Sequence, residues 1–458
     1  MKFVMLIAAV AIGLFQTDYS HAISLKKAVQ LAVQENPNGR ADAANIQAVA
    51  SELLESQTSF KPSVDVFGDV GVQRRESPTA STVSGGTDTL LTREAGVRAS
   101  LLLFDGFERA NIVYRNAARV DAASFRLLST SETLALSSVE AYIDVVRHRE
   151  LVAATQSNIR RHQEILRQIR ERVAGGNAPV SDRTQIEERV FAAEAVAVEV
   201  KSALRDAEDK FKKIVGRKPF GKMRVPFVRG LPGTKKKLVW QSVSNNYNIK
   251  QAEKTVREFV YSQEAAKAGY QPRVSLDGRA STGFNRNGTE GSESDLFVGL
   301  TLSWRLYDGG LSQARDRTFA ERVGEAEFRR DVAVRDVEEL AARAWNAHVS
   351  GQERNTVLKR QLAANTKIVS SYREEYTLSK RSLLDVLDAE RARFNNKFQQ
   401  ISVEASARFA GYRMLATMSK LAAHFGLSAT LIAPAPDVEQ RITASPSAVF
   451  DVTIPPLK

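Results

Sequence analysis

Leu378-Ser-Lys-Arg-Ser-Leu-Leu-Asp-Val-Leu-Asp-Ala-Glu-Arg391 closes one very long helical pattern and opens another. Ser382 has the character of an N-cap, and Asp385, three residues on, completes a capping box. Asp385 and Asp388 then stand at i and i+3 on one helical face, with Lys380 and Arg381 just outside the turn. Gly175-Gly-Asn-Ala-Pro-Val-Ser-Asp-Arg-Thr-Gln185 repeats this frame. There the glycines stop a helix, Pro179 blocks its continuation, and Ser181 or Asp182 starts the next one.

Working outward, the two stretches prove to be parts of one duplicated unit. Asp105-Gly106 precedes Asp182 by 182 − 105 = 77 residues, and Asp308-Gly309 precedes Asp385 by 385 − 308 = 77. At the same offset of 203, Phe125 matches Phe328, Ala141-Tyr142 matches Ala344-Trp345, Glu150 matches Glu353 and Phe191 matches Phe394. Upstream, Phe60-Lys-Pro-Ser-Val-Asp and Tyr270-Gln-Pro-Arg-Val-Ser correspond at 270 − 60 = 210, so the copies differ by seven residues in a loop. A shared register over this distance is the mark of an internal repeat.

Each copy has the same order. A helix comes first, over Ser24 to Ser59 with a break near Asn36-Pro37, and over Val239 to Gly269. Two strands follow. Val64, Val66, Val70 and Val72 alternate with polar residues, as do Ala95, Val97, Ala99, Leu101 and Leu103. In the second copy Val274, Leu276 and Ala280 alternate, then Leu296, Val298, Leu300, Leu302, Trp304 and Leu306. Period two with one apolar and one polar face is the pattern of a membrane barrel strand. Trp304 and Tyr307 fit an interfacial aromatic belt. The connections Arg74 to Thr92 and Thr282 to Asp295 read as Gly-, Ser- and Thr-rich loops. Helical runs then extend from Phe107 to Ala174 and from Leu311 to Leu378 without a proline. Their 68 residues would span roughly 100 Å. Return helices follow over Asp182 to Val215 and Ser382 to Phe425, and helices of this length must pack along one another.

Four strands cannot close a barrel, since closed ones have about eight or more. Open edges are forbidden in lipid. The chain must therefore oligomerise, and a homotrimer would supply twelve strands.

At 458 residues and 43% apolar, the chain can bury more than one core. It contains no cysteine, which excludes disulfides, thiolate metal sites, cysteine catalysis and lipid attachment through cysteine. Residues 1–22 read as a secretory signal, with Lys2, an apolar run from Phe3 to Phe15, and a Ser20-His-Ala22 cleavage site. No later stretch is long and apolar enough for a transmembrane helix. The net charge of +12 could point to nucleic acid, but the basic residues read as solvated helix faces among acidic ones, so no nucleic-acid partner is expected. Gly216-Arg-Lys-Pro-Phe-Gly-Lys-Met223 fails as a phosphate loop, because Met223 replaces the magnesium-binding hydroxyl and Pro219 removes a cradle amide. The five histidines lack zinc spacing and no nucleophile constellation stands out, so the expectation is no enzyme, cofactor or metal.

These residues resemble the TolC family of outer-membrane channel proteins over nearly the whole mature chain. The resemblance rests on the Pro-led strands at Pro62 and Pro272, the two Asp-Gly turns, and above all Arg381-Ser-Leu-Leu-Asp-Val-Leu-Asp388. It implies a mainly α protein with a membrane β-barrel. That means a trimer with four strands per chain, a twelve-stranded barrel, a long α-helical periplasmic tunnel and a mixed equatorial collar. Leu296 to Arg315 and Arg381 to Asp388 look most like the branch serving type I secretion. By the same resemblance, Asp385 and Asp388 would form the channel constriction. Arg381 would link to a neighbouring tip at Ser181 and Asp182, and Tyr376 would bond the same acid. Gln185 stands where the first copy could have repeated Asp388.

The expected organisation is a signal peptide at 1–22 and a first repeat at 23–216, with strand pair 62–104 and hairpin 107–215. An equatorial insert at 217–238 follows, then a second repeat at 239–426, with strand pair 272–307 and hairpin 311–425, and a Pro-containing periplasmic tail at 427–458. The insert and tail would lie at the collar or periplasmic surface. The function implied is an outer-membrane duct of a tripartite type I export system, docked at its tips to a periplasmic adaptor and an inner-membrane ABC or other transporter. Small-molecule efflux through the same duct is the alternative. A periplasmic coiled-coil adaptor is the competing class, disfavoured by two equal hairpins and four amphipathic strands.

Overall fold

The computed structural model describes residues 23–75, 88–286, 290–434 and 436–442. The expected signal peptide, much of the first strand connection and the end of the tail lie outside the described residues. The elements run α1 (Leu25–Glu35), α2 (Pro37–Thr58), β1 (Ser63–Arg75), β2 (Asp88–Phe104), α3 (Glu108–Ala174) and α4 (Val180–Val215). Then come α5 (Lys235–Asn245), α6 (Tyr247–Lys267), β3 (Arg273–Phe284), β4 (Ser292–Ser303), α7 (Leu311–Thr377) and α8 (Leu383–Thr417). Three single-turn helices follow, α9 (Leu421–His424), α10 (Ala429–Ile432) and α11 (Val438–Arg441).

Two compact units share this chain. One comprises Pro37–Leu134, Gly230–Asn346 and Arg413–Lys458 and contains the sheet. Its strands are all antiparallel in the order β1-β2-β3-β4. The register aligns one apolar row across all four, Val66–Val97–Ala280–Leu296, and Val64–Ala99–Gly278–Val298 runs beside it. Val66 and Leu296 are 82% and 78% exposed, an arrangement suited to lipid and unfavourable in water. The opposite face carries ion pairs and hydrogen bonds, including Arg279 to Glu94 at 2.6 Å and Ser100 to Asp277 at 2.7 Å. β4 stops at Ser303, short of the alternation read through Leu306. Trp304 instead donates Nε1–H to the Tyr270 carbonyl at 3.2 Å. At their other ends the strands run further into the connections than the loop composition suggested, to Arg75 and Phe284 and from Asp88 and Ser292.

Both strand-to-helix turns use aspartate as a cap. Asp105 accepts from the Arg109 backbone N–H and Nε, and Asp308 accepts from the Ser312 N–H and hydroxyl. Gly106 and Gly309 have φ of +69° and +70°, a conformation glycine alone adopts freely. A Cβ on Gly106 would also meet Gln271 Cβ at 2.5 Å.

The expected single helix of the second copy is broken at Asn246, although no proline is there. Asn36 and Asn246 share one backbone state (φ −68°, ψ 133° and φ −63°, ψ 129°). Their side-chain amides make equivalent bonds, Asn36 to the Ile214 carbonyl and Asn246 to the Thr417 carbonyl, each at 3.1 Å. The polar side chain that anchors the break is common to both copies, while Pro37 is an addition in the first. The return helix of the second copy likewise ends at Thr417, because Ser419 takes a left-handed turn with φ +53°. The buried Glu132 carboxylate then accepts from the Leu421 and Ala422 N–H groups at 3.0 and 3.1 Å and so caps α9.

The described part of the tail is no surface appendage. Val438 and Ile442 are buried with Val49, Ala50, Leu53, Val113, Ala117 and Val120. Asp121, fully buried, accepts from the Val438 N–H at 2.9 Å, and Lys254 bridges Asp121 and Glu439 at 3.0 and 2.8 Å. The second unit comprises Met1–Asn36, Ala135–Arg229 and Ala347–Tyr412 and holds both hairpin tips.

Candidate gate at the hairpin tips

An apolar plug fixes the tips. Ile165 and Ile169 of α3, Ile186 of α4, and Leu383 and Leu387 of α8 form one buried cluster, against which Tyr376 of α7 packs. The residues recur at helical spacing, so each helix contributes one stripe.

The two tip turns have the same geometry. The Gly176 N–H bonds the Val173 carbonyl and the Asn177 N–H bonds the Arg172 carbonyl. The Ser379 N–H bonds the Tyr376 carbonyl and the Lys380 N–H bonds the Glu375 carbonyl, each displaced by 203 residues. Both are Schellman turns, which require a left-handed residue. Gly176 meets that requirement freely at φ +71°, whereas Ser379 adopts φ +57° against its Cβ.

The following helices start differently. The Ser382 hydroxyl accepts from the Asp385 N–H at 3.2 Å, and the Asp385 carboxylate takes the Ser382 hydroxyl at 2.7 Å and its N–H at 3.3 Å. These bonds, the serine hydroxyl first, hold the Asp385 carboxyl below its ordinary range. In the first copy Pro179 occupies the cap and α4 begins at Val180, ahead of Ser181 and Asp182. Proline has no N–H to offer, so Asp182 stands at the capping-box position with no capping task.

Tyr376 packs against a cation. The Arg172 guanidinium lies 4.8 Å from its ring centroid, and burial raises the phenol pKa, opposed by Arg172 and aided by Asp182. Arg381 does not reach Ser181 or Asp182 within the chain. Its Nε bonds Glu375 at 2.8 Å, and its guanidinium lies 4.1 Å over the Tyr372 ring. Asp388 is exposed, one turn beyond Asp385 on α8.

Two residues beyond Asp388 lies a group that sequence reasoning missed. Glu390 is fully buried, with Oε1 2.6 Å from Arg373 of α7 and Oε2 paired with Arg393 and 3.8 Å from Arg161 of α3. One carboxylate thus ties three helices together immediately behind the acidic tip. In the sequence it is one more acid in a charged helix.

A family model described as outer membrane efflux protein matches residues 28–217 and 238–412. The chain belongs to the outer membrane efflux protein family. Membership places it in the outer membrane, in a family of channels rather than enzymes. Outer membrane efflux protein BepC of Brucella suis biovar 1 is 22% identical over 87% of this chain and 86% of that protein. Alkaline protease secretion protein AprF of Pseudomonas aeruginosa is 23% identical over 91% of this chain and 88% of that one. The fold is that of the Campylobacter jejuni CmeC outer membrane channel, with a TM-score of 0.75 at 14% identity over 86% of this chain and 85% of that one.

Proposed function

We propose that three copies of this chain form a passive duct, with Asp385 and Asp388 narrowing its periplasmic end. The observation that carries the reading is the open sheet. β1 and β4 each have one strand neighbour, they match in length at 13 and 12 residues, and the shared face is apolar. Within lipid such edges must pair, and β1 of one copy against β4 of the next closes a ring. Heat-sensitive trimers in the membrane fraction test this. With no natural cysteine in the way, one cysteine on β1 and one on β4 should cross-link copies, and a cross-link-free monomer would end the proposal.

At the tip, three copies of Asp385 and Asp388 would bring six carboxylates near one axis, where they repel. A shut tip needs compensating cations, and Arg381 with Tyr376 could supply links to Ser181 and Asp182 of a neighbouring tip. Asp182 is suited to this because Pro179 leaves its carboxylate without a capping partner. Glu375 is the competitor that holds Arg381 in one chain. A periplasmic adaptor and an inner-membrane ABC or other transporter would dock there and shift the population toward the open state. Likeness to AprF favours type I secretion of a protein, and likeness to BepC favours efflux. Deleting the gene decides between them, by loss of a secreted protein or by gain of drug sensitivity.

A further inference from the structure

The cationic excess of this chain is not spread evenly. Residues 210–252 contain twelve Lys and Arg and no Asp or Glu, which equals the net charge of +12, so the remainder of the chain is balanced. Eight of these cations fall in residues 210–229, in the unit that holds the hairpin tips. At the 203-residue offset, 413–432 carries only Arg413 and Lys420, so the fold itself does not call for cations there.

The structure shows how the segment presents them. After α4 the chain forms an irregular strap held from beneath. Arg149 donates to the carbonyls of Pro219 and Gly221 at 3.0 and 2.9 Å. Arg408 donates to Val225 at 2.6 Å and the Tyr412 hydroxyl to Pro226 at 2.9 Å. Pro219, Met223 and Val225 turn inward and are buried, while Lys218, Lys222 and Arg224 point outward. Lys212 and Lys213 are exposed on the last turn of α4. The same strap carries two exposed aromatic rings, Phe220 at 41% and Phe227 at 72%, the latter with the Arg408 guanidinium 4.4 Å from its centroid.

We propose that this strap binds peptidoglycan, the carboxylate-bearing glycan of the cell wall that lies beside the outer membrane. Glu140 pairs with Lys210 and Glu35 lies 3.9 Å from Arg217, but Lys212, Lys213, Lys218 and Lys222 have no acid partner among the described residues, and an anionic partner would relieve their mutual repulsion. Long lysine side chains on a rigid backbone adapt to carboxylates of irregular spacing, and the cavity beneath the strap carries Glu150 and Glu404 beside its arginines, which disfavours a small anion there. The rings add flat apolar faces on which sugar rings can lie. This inference does not depend on what the duct exports. It would anchor the protein laterally in the wall.

The test uses the full-length protein in detergent with isolated sacculi. A Lys212→Gln, Lys213→Gln, Lys218→Gln, Lys222→Gln variant changes only exposed side chains that make no ion pair among the described residues. Trimer migration and helical circular dichroism report that it is folded. The wild type should co-sediment, binding at least about tenfold more weakly when salt rises from about 0.05 to about 0.5 M. The glutamine variant should bind at least tenfold more weakly, and the corresponding arginine variant should bind as the wild type does. Amidating the wall carboxylates should abolish the difference between variants. Equal sedimentation of the glutamine variant, or undiminished binding to amidated sacculi, overturns the proposal. So does a charge-dependent partner that proves to be an acidic protein while sacculus binding stays unchanged.

Discussion

Glu390→Gln should loosen the tip assembly without unfolding the protein. The carboxylate is fully buried and faces Arg373, Arg393 and Arg161, whose side chains are 38%, 14% and 41% exposed. Breaking a fully buried ion pair costs about 3–5 kcal/mol, mostly from the stranded charge. Here Arg373 and Arg161 can turn toward water, so only Arg393 is left badly solvated. The cost therefore falls to about 2 kcal/mol. Because the bonds join α3, α7 and α8, the loss should appear as easier local opening. At 1.4 kcal/mol per tenfold, amide exchange in peptides covering 373–393 should accelerate about 30-fold. Glu325→Gln, which removes an exposed pair with Arg329, is the control and should leave exchange in 373–393 unchanged. Exchange in Glu390→Gln no faster than in that control would refute the claim that this carboxylate clamps the helices.

Ser379→Gly should raise stability by about 1 kcal/mol by relieving a left-handed serine, and Gly176→Ser should lower it by a similar amount, read from denaturation midpoints. Burial raises Glu132 from 4.5 to about 7, so the folded state holds its proton more tightly than the unfolded one. Stability from this group is therefore greatest below about pH 4.5 and declines as pH rises to about 7, by on the order of 3 kcal/mol. Glu132→Gln should flatten that slope, and an unchanged slope would assign it elsewhere. In planar bilayers Asp388→Ala should weaken cation preference or raise conductance, and unchanged values would remove Asp388 from the gate. Arg381→Ser should leak whereas Glu375→Gln, which frees Arg381, should leak less; the same effect from both would contradict competition between links.

Much of the fold is legible locally. The period-two strands and the capping box at Ser382 and Asp385 depend on neighbours within a few residues, and the 203-residue register appears when the chain is compared with itself. The break at Asn246 was hidden because its cause is a bond to Thr417, far along the chain. The same holds at the tip, where Arg381, Asp182 and Tyr376 are visible as residue types but their partners are not. Arg381 turns to Glu375 because that acid ends the same helical run and the ring of Tyr372 supports its guanidinium.

By itself, then, the sequence determined the repeat, the amphipathic strands, the long helices and the acidic tips, since periodicity and capping act over one or two turns. The tertiary structure decided which charges are buried. Glu390, Glu132 and Asp121 look like solvent-facing acids until helices from distant parts of the chain close over them. Whether a charge becomes a clamp, a cap or a free surface group follows from that long-range packing.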